Sequence, residues 1–480
     1  MSKLTDIQSL SQAVPSGATV AIGGFQLNRV PVALLHAVAA HAPTNLKTVS
    51  APNPLALEIL ASAGCVRAAE CGFIGFQYED GFVIAPAVRR ALATGTLCLQ
   101  QPDVYDTIQS LRTARDRGKP RADLAILHAQ RADREGNLLI DDPYVDVQLA
   151  EASGQVLATA EVLVGKIDKP TIPAHMVKQV ALAKNGAAPT SCLGYYGRDV
   201  CGVREHIGAT MAYRPSPAPG ETAAIDHLLI NMARQVNDNE VIVTGLASAL
   251  PMLAIELARR TYAPRLTYIN CIGAVNPRID TALPTSVEAD LRNHCDRTIE
   301  LPDLFDLARD GGVDAMFFGA AQVDRRGNIN LSRIGPADDP KIRLAGPAGS
   351  PSMRSYIRRV LITVPRQLPR NLVERVDVAT SSPASRNEET VLVTDAAIWR
   401  LGHTGFDLES LHDGVTLEDL SVCTGFKFRC ASPTTTAPAT QLELSALHSI
   451  DPDDVRCRLL SEGPRLREES SSTEKVTHER

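Results

Sequence analysis

Two glycine-rich turns are the first residues of this sequence whose types and spacing could do chemistry. Gly23-Gly24 follows the apolar run 20–22 and precedes a helical pattern. That order lets backbone N–H groups face a ligand oxygen or phosphate at a helix N-terminus, or else it closes a tight turn. Gly346-Pro347-Ala348-Gly349-Ser350 follows the strand-like run 342–344. Pro347 removes one donor there and Ala348 adds a β-carbon, so this second turn is stiffer. Arg354 stands just beyond it, placed either to meet a phosphate or to face water. The carboxylates of Glu79, Asp80 and Asp103 sit in loop-like text, where each is a candidate base or a solvated charge.

Alternating strand and helix patterns must position these groups. Runs 20–22, 46–49, 124–128 and 155–164 read as strands; 32–40 and 55–63 read as helices, closed near Pro43 and opened after Pro52-Asn53-Pro54. That alternation is the grammar of βαβ units and a largely parallel sheet. Residues 213–221 alternate three prolines and read as a linker. Beyond it the grammar repeats: a helix from about residue 222, strand 241–244, Gly245, helix 252–261, strand 266–269. Gly24, Pro31 and Pro43 keep nearly the spacing of Gly245, Pro251 and Pro264. Asp133-x-x-Gly136-Asn137 likewise returns as Asp324-x-x-Gly327-Asn328, each after an Ala-Gln pair. Each copy is a turn by its chemistry, and its recurrence in one context marks an internal pseudo-repeat. The expected organisation is therefore 1–212 and 223–455 as two α/β domains, a 213–222 linker, and a disordered 456–480 tail.

A chain of 480 residues with 44% hydrophobic and 22% charged residues is globular and long enough for two cores. A net charge of −6 spread along it argues against nucleic acid as a partner. No run of 18 apolar residues suggests a membrane span, and the first residues do not resemble a secretory signal. Ten irregularly spaced cysteines read as reduced thiols, and the expected location is cytoplasmic. No HExxH, paired CxxC, P-loop or GxGxxG is present, so no metal is expected.

The motifs together resemble the class I coenzyme A transferases with α- and β-type subunits fused in one chain. Thr19–Phe25 is similar to that family's first signature, and 126–137 to the interior motif of its α-type subunits. Gly72–Phe76 with Ala85-Pro86 resembles the glutaconate branch. The β-type likeness lies in 318–330, 346–349 and 414–419. The resemblance implies two mainly parallel α/β domains facing each other across an acyl-CoA site, with coenzyme A as substrate. A homodimer is compatible with it. It also implies coenzyme A contacts at Gly23, Gly24, Phe25, Gly346, Ala348, Gly349 and Arg354, and an oxyanion role for Asn53.

One position departs from the pattern. The family's nucleophilic glutamate, which attacks the thioester, falls here on Cys271 within Tyr-Ile-Asn-Cys-Ile-Gly273. Related steroid ring-opening hydrolases place a glutamate in the other half, where this chain has Val104 between Asp103 and Tyr105. Three expectations follow. The chain is an acyl-CoA enzyme working through an acyl-cysteine at Cys271, a C–C hydrolase using Glu79 or Asp103, or a ligand-binding pseudoenzyme.

Overall fold

The structure is a computed structural model that describes residues 2–78, 81–208, 219–430 and 434–460. Glu79, Asp80, and residues 213–218 of the expected linker lie outside the described residues. The first half builds one sheet whose centre is β1 (Thr19–Ile22), β2 (Leu46–Ser50), β3 (Leu124–Ala132), β4 (Val156–Leu163) and β5 (Val177–Leu182). The second centres on β6 (Val241–Thr244), β7 (Thr267–Ile269), β8 (Ala315–Gly319), β9 (Arg359–Val364) and β10 (Glu389–Thr394).

Their spatial orders are β5-β4-β3-β1-β2 and β10-β9-β8-β6-β7. All eight of these pairings are parallel. The two orders are the same topology written twice, so the pseudo-repeat is a repeat of fold. Parallel strands covered on both faces need continuous apolar runs. Val20–Ile22, Ala125–Leu127 and Val360–Ile362 supply them and are buried. The DxxGN turns repeat at the level of atoms. The Asp133 carboxylate accepts from the N–H groups of Glu135 and Asn137, both at 3.0 Å, and that of Asp324 from Arg326 and Asn328, also at 3.0 Å. Gly136 and Gly327 close the turns at φ of 93° and 79°, a left-handed conformation that suits glycine.

Two expected boundaries are corrected. The helix opening the second half spans Pro219–Ala233, so its first turn takes up the last residues assigned to the linker. The expected tail begins too early, because Val455–Leu460 is a helix. Its Arg456 is buried between Asp226, at 2.6 Å, and Asp451, at 2.9 Å.

The halves meet directly. Arg112 pairs with Asp306 at 2.9 Å, and the Tyr105 hydroxyl donates to Asp306 at 2.6 Å. Tyr105 also stacks on Phe305 with centroids 5.2 Å apart. Fragments 1–216 and 217–480, co-expressed, are therefore expected to copurify through a tag on either piece. Two folded fragments that elute apart would contradict one pair of domains per chain.

Candidate active site

A cavity of about 400 Å³ lies between the halves. The first half contributes Phe25, Pro52, Phe73, Phe82 and Val104; the second contributes loop 244–248, Cys271, Phe305, strand residues 316–321 and turn 344–350. Strand ends and the loops after them make this wall, the usual place for a site in a parallel sheet. Every lining side chain among the described residues is uncharged.

The Gly346 turn seams the cavity. Ile74 N–H donates to the Ala345 carbonyl at 2.8 Å, Ala348 N–H to Gly72 at 3.0 Å, and Val104 N–H to Ala348 at 2.9 Å. Gly346 has φ +110°, and a β-carbon there would come within 2.6 Å of the Gly72 carbonyl. Ala348 holds a left-handed φ of 49°, and a β-carbon on Gly349 would strike the Phe305 ring. These residues line the site, while the Ala348 amide expected to face coenzyme A is used to join the halves. Gly346→Ala should cost about 1–3 kcal/mol through backbone strain and open the seam. Thermal melting measures it, and an unchanged melting temperature would count against this geometry.

The first glycine pair proves to be a turn and not an anion cradle. Gly23 N–H donates to the Ile126 carbonyl at 3.0 Å and Phe25 N–H to Asn28 at 3.0 Å. Gly24 N–H donates to the Asp146 carboxylate at 3.0 Å, which takes the place a ligand oxygen would have. Phe25 reaches the cavity by its ring, stacked on Tyr144 at 5.2 Å. Asn53 is buried and engaged: its amide donates to the Gly23 carbonyl at 2.7 Å, and its oxygen accepts from Ala56 N–H at 3.2 Å. It caps the helix Pro54–Ser62 and positions the turn.

Two more expectations are corrected by burial. Arg354 is fully buried, donating to the carbonyls of Gly327 at 2.7 Å and Ser381 at 3.3 Å, and burial pulls its guanidinium down to about 10. It clamps the DxxGN turn and faces no phosphate. Asp103 accepts from Tyr105 N–H at 2.7 Å and, across the seam, from Ser352 N–H at 2.9 Å. Burial pushes its carboxyl up while those N–H groups oppose the rise. Asp103 is a cap that joins the halves, not a base.

Cys271 does stand in the cavity wall, 6% exposed. Burial pushes its thiol up to about 12, and its S–H points to the Ser286 carbonyl at 3.9 Å. Nucleophilic attack needs thiolate, which this surrounding suppresses at neutral pH. Asn270 beside it is fixed from both ends, donating to Ser286 O at 2.8 Å and accepting from Ile272 N–H at 2.9 Å. Across the same wall, Leu246 and Ala247 follow Gly245, and their N–H groups have no acceptor among the described residues. Ala247 adopts φ +53°. The sequence marks Gly245 through the repeat, but nothing in it shows that the next two amides are left unpaired.

The structure also assembles a buried group that the sequence does not gather: His128, Glu161 and Cys192. Glu161 accepts from the His128 ring at 2.9 Å, from Gly186 N–H at 3.0 Å and from Asn185 N–H at 2.8 Å. Thr159 meets the other His128 nitrogen at 2.8 Å. Burial lowers His128 and pushes Cys192 up to about 12; His128 and Glu161 form a hydrogen-bonded core beside which the Cys192 thiol packs.

The sequence profile of the coenzyme A transferase family ("Coenzyme A transferase") matches residues 5–100 and 227–422, reaching into both halves. The chain belongs to the coenzyme A transferase family. It is an enzyme of that family, and relatives match part of the chain or as much as 92% of it. It is 32% identical to one of the 3-oxoadipate CoA-transferase subunits of Pseudomonas knackmussii, over 47% of this chain and 91% of that one. It is 37% identical to the crystal structure of the decarboxylase AibA/AibB, over 50% of this chain and 99% of that one, with a TM-score of 0.48. An acyl-CoA transferase of Escherichia coli O157:H7, solved as a thioester complex with CoA, shares the fold over 91% of this chain and 94% of its own. That match has a TM-score of 0.67 at 15% identity. Among the described residues, no helix is long and apolar enough to cross a membrane.

Proposed function

We propose that this transferase-family enzyme binds an acyl-CoA between its halves and removes a carboxylate from the acyl group, leaving the thioester intact. The uncharged cavity wall carries this reading. Transfer by the family's usual route needs a nucleophilic carboxylate, and hydrolysis needs a base for water. Decarboxylation needs neither. It needs a place where a carboxylate is poorly solvated, a sink for the electron pair and a proton for the carbon left behind.

Each requirement has a group in the wall. A carboxylate β to the thioester carbonyl, or one double bond farther out, loses hydration against Phe25, Phe73 and Phe305, whereas neutral CO₂ does not. As the C–C bond breaks, its electron pair moves onto the thioester oxygen, where the Leu246 and Ala247 N–H groups can hold the enolate. The carbon then takes the proton of the Cys271 thiol, and the thiolate recovers one from water. A thiol near 12 is protonated when needed and still acidic enough to protonate an enolate carbon. Cys271 thus acts as an acid in this scheme, in place of the expected nucleophile.

A thioester panel tests the scheme: malonyl- and glutaconyl-type CoA beside acetyl- and succinyl-CoA, with products read by mass spectrometry. The expected product is the CO₂-depleted thioester from the carboxylated members alone. Free CoA without an acceptor would mean hydrolysis; exchange of CoA onto an added carboxylate would mean transfer. Cys271→Val should slow CO₂ release about 10²–10⁴-fold if the thiol is the proton donor. Unchanged release would reduce Cys271 to packing.

A further inference from the structure

The turn that closes the cavity continues outward as a hairpin, Arg333–Ile334 against Ile342–Arg343. Its register places Arg333 directly opposite Arg343. Side chains alternate along a strand, so this pair shares a face with Leu331 and Ala345, which line the cavity. One further pair out on the same face, Lys341 lies against Gly335, where a β-carbon would come within 3.1–3.6 Å of the lysine. Three cations thus share one face beyond the rim: two directly opposed, and the third about 7 Å farther out.

Among the described residues no carboxylate pairs with Arg333, Lys341 or Arg343, and the Arg333 Nε is buried without a partner. The nearby Asp377 carboxylate accepts from Gly335 N–H at 3.2 Å and the Gln322 amide at 3.1 Å, both on one oxygen, and forms no ion pair with these cations. Asp338 and Asp339 at the hairpin tip are exposed. Like charges directly opposite on a sheet destabilise it, and a buried unpaired donor needs an explanation. Both oddities disappear when an anion bridges the pair.

We infer that the Arg333–Arg343 pair, extended by Lys341, binds the phosphates of the substrate's nucleotide end. This rests on the acyl-CoA reading and deepens it. An apolar cavity offers no attraction to a carboxylated acyl group, so binding energy must come from a remote part of the substrate. Arginine pairs recognise phosphate oxygens by paired N–H donors, and this pair adjoins Leu331 and Ala345 of the cavity wall.

Binding of CoA, dephospho-CoA and pantetheine to the full chain, by calorimetry at two salt concentrations, tests it. With Arg333→Gln/Arg343→Gln, CoA affinity should fall about tenfold to hundredfold and lose part of its salt dependence, while pantetheine binding stays unchanged. R343E adds an independent readout. It should pair with Arg333 and raise the melting temperature while lowering CoA affinity further. Wild-type CoA affinity in the double variant would overturn the subsite alone. A wild-type chain that binds pantetheine and CoA equally well would also overturn it. A wild-type chain that binds neither would overturn the subsite together with the acyl-CoA reading.

Discussion

Iodoacetamide should alkylate Cys271 on the order of a thousandfold more slowly at pH 7 than an ordinary thiol, judged residue by residue from peptide masses. The thiolate is the reactive form, and a pKa pushed up to about 12 from an ordinary value of about 8.5 removes nearly all of it. Cys98 and Cys201 are exposed and serve as internal references on the same molecule. The pH profile carries the sign. Because burial raises the pKa, Cys271 labelling should climb about tenfold per unit through pH 7–10 without a plateau, whereas an unperturbed thiol levels off above about pH 9. Rapid labelling at pH 7 would show a thiolate in the wall and return the acyl-cysteine route to first place.

Arg29→Met should destabilise the protein by about 3–5 kcal/mol, the cost of leaving buried carboxylates without their counter-ion. Arg29 is fully buried and donates to Asp142 at 2.7 Å, to the His128 carbonyl at 2.5 Å and to Asp146. Asp146 in turn holds Gly24 N–H, so the arginine fixes the turn that delivers Phe25 to the cavity. Total stabilities are about 5–15 kcal/mol, so a large part of the fold's margin rests on this cluster. Urea denaturation with the midpoint and slope compared against wild type measures it. A loss below about 1 kcal/mol would mean the cluster is relaxed by water and does not anchor the turn.

Much of the fold was legible because its signals are local. Strand 241–244 falls where expected, and helix 32–40 is one residue short of Val32–His41. The repeat was legible because Asp, Gly and Asn each have a distinct backbone role in a DxxGN turn. The site was legible only in part. Cys271 and the Gly346 turn reach the cavity, since both follow strand ends. The tight turn was one of the two readings of Gly23-Gly24, but that its amides are already taken, and the roles of Asn53, Asp103 and Arg354, were missed for one physical reason. A motif shows which groups could bind a ligand, but not that partners elsewhere in the chain have already taken them. Asp146 occupies Gly24, Ser352 occupies Asp103, and the second DxxGN turn occupies Arg354. The opposite case, the hairpin arginines, is equally invisible without coordinates, because only a register shows two cations opposed and unanswered.

The central claim is that acyl-CoA chemistry proceeds in this cavity without a covalent bond to the protein. Intact-protein mass spectrometry during turnover of a malonyl- or glutaconyl-type thioester tests it most directly, with evolved CO₂ measured on the same sample. CO₂ should appear while the protein keeps its own mass throughout. A protein that gains the mass of CoA or of the acyl group, with no CO₂ released, would contradict the account.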